Sequence, residues 1–154
     1  MLRRRIPTVL IVLLALSLTL AIAVVAFAAP GDTLRRTTSL WGANEIPGPG
    51  DPNGSGEATI KINLSKNRLC YTLVVRHIAP ATMAHIHSGN STVAGPVVVP
   101  LAAPTNGRSS GCTDDVDPAL LRAILRSPRQ YYVNVHNAEY PGGAVRGQLS
   151  HPGN

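Results

Sequence analysis

The chain has 154 residues, enough for one domain and a leader, and only 14% of them are charged. Gly and Pro together number 27, and aromatic residues make up 4%, which argues for a turn-rich β domain over a helical one. The formal charge of +6 falls to about +3 once Arg3, Arg4 and Arg5 of the leader are set aside. With no basic patch interleaved with aromatics, nothing points to nucleic acid as a partner.

The first element is that leader. Arg3–Arg5 is a positive n-region, Ile6–Phe27 is uncharged and mostly apolar, and Ala26-Phe27-Ala28 fits an A-x-A cleavage signal. Residues 1–28 are therefore expected to be a signal peptide, with 29–154 as the mature domain. The alternative is an uncleaved anchor, because the apolar run is long enough to cross about 30 Å of hydrocarbon as a helix. The arginines would then stay cytoplasmic. In both cases the domain is expected outside the membrane, secreted or at the cell surface, touching lipid only through the leader.

Thr33–Trp41 is β-prone and reads as the first strand. Gly42–Gly56 is a loop dense in Gly, Pro, Asn and Asp. Glu45 stands in it and reads as a solvated loop acid, with a calcium ligand as the rival reading. Ala58–Leu64 alternates, with Ala58, Ile60, Ile62 and Leu64 on one face. Ser65-Lys66-Asn67 is a turn, and Arg68–Ile78 alternates again, so the two strands form an antiparallel hairpin. Met83–Ser88 is a short strand on which His85 and His87, two apart, share a face. Val97–Leu101 is a further strand, and Ala102–Asp115 reads as a loop. Asp117–Arg126 is the one helix: Asp117 caps it, Pro118 suits its first position, and Leu120, Leu121, Ile124 and Leu125 form its apolar stripe. A final hairpin pairs Tyr131–Asn137 with Ala144–Leu149 across Pro141-Gly142-Gly143, where glycine permits positive φ. Tyr131, Val133 and Val135 lie on its core side, and Tyr132, Asn134 and His136 on the other.

About seven strands with turn signals between them and one short helix predict an all-β fold. The expected form is an antiparallel, immunoglobulin-like or Greek-key β-sandwich. The two cysteines, Cys70 and Cys112, are even in number in an oxidising compartment and predict one disulfide. Closing that loop would stabilise the fold by about 4 kcal/mol on the chain-entropy model. Buried free thiols or a pair of metal ligands are the alternatives, and no C-x-x-C spacing supports them.

The chain resembles the CHRD domain, the module repeated in chordin and found singly in many secreted bacterial proteins. The resemblance rests on Leu40–Pro47 (LWGANEIP), Gly56–Ile62, Ala84–Gly89 (AHIHSG), Gly95–Val99 (GPVVV), Tyr131–His136 (YYVNVH) and Pro141–Leu149 (PGGAVRGQL). It runs from about residue 33 to 150. It implies a binding or structural module with no assignable catalytic activity. Its partner would be an extracellular protein or surface ligand that the sequence does not identify.

His85, His87 and His136 are the one constellation that could carry chemistry. Two come from one strand face and one from a later strand, and neutral imidazoles suit one copper or zinc ion. The pattern faintly resembles the copper site of Cu/Zn superoxide dismutase. With five histidines in all, a bridged two-metal site cannot be built, so the alternative function is a mononuclear copper or zinc protein. His77 is a further candidate ligand, and Arg146 a positive partner for an anion. In the structural reading the histidines hydrogen-bond within the fold, while Asn134 and Arg146 satisfy buried carbonyls and Gly142 and Gly143 serve the turn. Ser88 and Ser91 lack an elbow motif and an ordered acid, which sets hydrolysis aside. Asp114, Asp115 and Asp117 lack the spacing of an EF-hand loop.

Overall fold

A computed structural model describes residues 33–151 of the chain. The expected signal peptide, 1–28, lies outside the described residues. Eight strands form in order: β1 (Thr33–Trp41), β2 (Ser55–Asn63), β3 (Arg68–Arg76), β4 (Ala81–Ser88), β5 (Val97–Leu101), β6 (Arg108–Thr113), β7 (Tyr131–Asn137) and β8 (Val145–Gln148). One α-helix, α1 (Pro118–Arg126), separates β6 from β7. Among the described residues no helix is long and apolar enough to cross a membrane.

The all-β expectation holds. All strand pairs are antiparallel, and the strands form one nearly closed sheet in the order β5-β4-β7-β8-β1-β2-β3-β6. The ladder is thin at its middle, where β1 and β8 share a single register pair, Trp41 opposite Arg146. Thr38 reinforces that seam by donating its hydroxyl to the Gln148 carbonyl at 2.7 Å. Apolar residues from both halves of the strand order nevertheless join one core cluster. Ile60, Ile62, Leu69 and Leu73 from one half pack in the same cluster as Ala84, Ile86, Val133 and Val135 from the other.

Alternation dictates which residues enter that core. In β4 the even positions Ala84 and Ile86 are buried in it, and in β7 Val133 and Val135 are. The helix adds Leu121, Ile124 and Leu125. It starts where expected, with the Asp117 carboxylate accepting from the Ala119 amide at 2.8 Å. Arg36 ties down its far end by donating to the Leu125 carbonyl at 3.0 Å, a favourable place for a cation at a helix C-terminus.

Two expectations need correction. Residues 102–115 are not all loop: Arg108–Thr113 is β6, paired with β3, and it raises the strand count from about seven to eight. Its sequence, RSSGCT, has no apolar alternation because it is an edge strand with no core face of its own. Cys112 therefore sits in a strand, directly opposite Cys70, and the predicted disulfide joins the two. Asp114, just beyond, pairs with Arg68. The second correction concerns Glu45 and belongs to the site.

Candidate metal centre

The outward face of β4, β7 and β8 is polar yet largely covered. Register sets out its residues row by row: His85 stands opposite Asn134, and Asn134 opposite Arg146. His87 stands opposite Tyr132, and Tyr132 opposite Gln148. Met83 stands opposite His136. Two loops close over this face. Residues 89–96 fold back from β4, held where Gly89 donates to the Gln130 carbonyl at 2.8 Å. Residues 42–54 fold down from β1, held where Asp51 donates to the Ala144 carbonyl at 2.9 Å.

His85, His87 and His136 come together. Each offers one ring nitrogen, and the three nitrogens lie within 4.8 Å of one another. His85 Nδ1 and His136 Nε2 are 3.3 Å apart. His77 does not join them: it lies between β3 and β4 at positive φ, beside Val75 and Pro104.

Hydrogen bonds to carbonyls fix two tautomers. His87 donates from Nδ1 to the Gly95 carbonyl at 2.8 Å. His136 donates from Nδ1 to the Pro141 carbonyl at 3.1 Å. A carbonyl can only accept, so each ring carries its proton on Nδ1 and presents a bare lone pair at Nε2. The Nε2 atom of His87 has no hydrogen-bond partner, although the residue is only 8% exposed. Burial pushes the pKa of all three imidazoles below the ordinary value, and the neighbouring His87 pushes His85 the same way. Burial thus favours the neutral form of each ring, the form a metal ligand needs.

Behind them stands a layer of supports. Tyr132 stacks on His87 from the β7 side, ring centres 4.8 Å apart. From the β8 side the Arg146 guanidinium carbon lies 3.4 Å from the centre of the same tyrosine ring, within cation–π range. Arg146 is 1% exposed and donates to the carbonyls of Asn90 and Val93 at 2.6 and 3.0 Å. The Gly95 amide donates to the Tyr132 hydroxyl at 3.0 Å. Arg146 and Tyr132 therefore hold the loop that carries the Gly95 carbonyl, and that carbonyl sets the His87 tautomer.

Glu45 is not the solvated loop acid expected from its sequence neighbours. It is 3% exposed, with the side chains of Asn134 and Arg146 as its polar neighbours. Burial pushes its pKa up to about 7, against the lowering effect of Arg146 and Asn134. Its carboxyl fits because residue 143 is glycine: a Cβ there would stand 2.3 Å from Glu45 Oε2, and φ is +146°. Gly142 has no such neighbour. Asn134 leaves its Oδ1 without a partner on the same covered face. The sequence puts Tyr132 on this face without a role of its own; its signal is the two-residue period it shares with Asn134 and His136.

Residues 36–149 match the family model described as the CHRD domain, which covers most of the chain. A search of curated proteins finds no match to it.

Proposed function

The chain belongs to the CHRD domain family, and we propose that this member carries a mononuclear site for copper or zinc. The ligands are His85, His87 and His136. The observation behind this reading is the trio of His85, His87 and His136, one ring nitrogen of each lying within 4.8 Å of the others, with the buried Nε2 of His87 left without a partner. A buried nitrogen lone pair left bare costs about 1–3 kcal/mol, and a metal ion would satisfy it. Zn–N and Cu–N bonds of about 2.0–2.1 Å need ligand nitrogens about 3–4 Å apart. The 3.3 Å pair already meets this, and the third ring has a short distance to close. Gly95 and Pro141 act as outer-shell acceptors of the kind that orient ligating histidines.

The Cys70–Cys112 disulfide and the CHRD domain fit an extracellular protein. Export by residues 1–28 is part of the proposal. The site binds and holds; no catalytic role is assigned to it.

A second reading has its own observation. His85 Nδ1 can donate to His136 Nε2 across 3.3 Å, which makes the cluster a structural hydrogen bond in a module that binds an extracellular protein or surface ligand. Calorimetric titration of the full chain with Zn(II) and Cu(II) separates the two. One equivalent taken up by the native protein, and lost in His85→Ala plus His87→Ala, supports the metal site. No uptake, or equal uptake by the double variant, leaves only the structural module.

A further inference from the structure

We propose that Met83 is a fourth, thioether ligand of this site and makes it selective for copper, as Cu(I), over zinc; this rests on the metal reading above. Met83, His85 and His87 occupy alternate positions of β4, so all three project from its outward face. Met83 is also the register partner of His136 on β7, and directly opposed residues have Cβ atoms about 4.5–5.5 Å apart. It therefore adjoins two of the three ligands, one along its strand and one across it.

Burial falls along β4 from one end of the cluster to the other. His87 is 8% exposed, His85 is half-buried, and Met83 is 46% exposed. On β4 the loops cover the His87 end and exposure rises toward Met83, while His136, opposite Met83, is itself buried. A lone exposed methionine needs no explanation. This one stands beside three converging imidazoles, on a side chain with three rotatable bonds that can swing its sulfur inward. Thioether sulfur is a soft donor that favours Cu(I), whereas imidazole alone accepts zinc and copper alike.

The test compares the full-length protein with Met83→Leu, which preserves volume at an exposed position. Cu(I) affinity is measured anaerobically by competition with a chromogenic chelator, Zn(II) affinity by calorimetry, and copper neighbours by X-ray absorption. The expected result is a loss of Cu(I) affinity of at least about tenfold, the range that even outer-shell changes reach. Zn(II) affinity should stay within about twofold, and a sulfur neighbour of copper should vanish in the variant. Equal Cu(I) affinity in the two proteins, with only nitrogen and oxygen around copper, overturns the role of Met83 while the imidazole site stands. Failure of the native chain to take up either metal overturns both.

Discussion

The two faces of β4 and β7 are made by the same backbone and differ in everything else. Inward, Ala84, Ile86, Val133 and Val135 are apolar and buried in the core cluster. Outward, His85, His87, Tyr132, Asn134 and His136 are polar, and most are buried nearly as deeply by loops. The inner face lowers the free energy of the fold through the burial of apolar area. The outer face works against it, because polar atoms such as His87 Nε2 and Asn134 Oδ1 are buried without hydrogen-bond partners. Natural folds leave few such groups unsatisfied. Their concentration on one covered face, beside the three imidazoles, is what the proposed metal site would account for.

That contrast can be broken from either side. The largest loss of stability is expected on the inner face. Ile86→Ala should lower unfolding free energy by about 2–5 kcal/mol, read by denaturant titration, while the folded fraction keeps its metal stoichiometry. On the outer face the largest stability effect belongs to Glu45. Its folded pKa, about 7, lies above the ordinary 4.5, so the folded state binds the extra proton between those values. Its contribution is full below pH 4.5 and is lost as pH rises to about 7. Relative to Glu45→Gln, the native chain should therefore lose roughly 2–3 kcal/mol across that window. A difference that is flat with pH would show that the carboxyl is not held protonated.

Glycine at the turn gives a smaller and sharper comparison. Gly143→Ala drives a methyl group into the Glu45 carboxyl at positive φ and should cost about 1–3 kcal/mol. Gly142→Ala meets nothing within 4 Å and should stay within about 0.5 kcal/mol. Equal thermal shifts for the two variants would mean that the turn, and not the seat of Glu45, sets the need for glycine.

Much of the inner face was legible in the sequence because period-two alternation is a direct image of a half-buried strand. Ala58–Leu64 and Arg68–Ile78 announce their hairpin, and Tyr131–Asn137 its division into two sides. Strand β6 was not legible: as an edge strand closed by a disulfide, Arg108–Thr113 needs no apolar pattern to be held. Glu45 was misread for a related reason. Its neighbours in Gly42–Gly56 are the residues of a solvated loop, and only the folding of that loop over β8 takes the carboxyl out of water. The H-x-H spacing named two candidate ligands and β7 the third. The bare Nε2 of His87 depends on the carbonyl of Gly95, eight residues further on, and no spacing rule reports it.

The most direct measurement is pulsed electron paramagnetic resonance of the full chain loaded with one equivalent of Cu(II). Three coupled imidazoles are expected in the native protein, falling to two in His136→Ala. A spectrum with one imidazole or none, or one that His136→Ala leaves unchanged, would contradict a metal site built across β4 and β7.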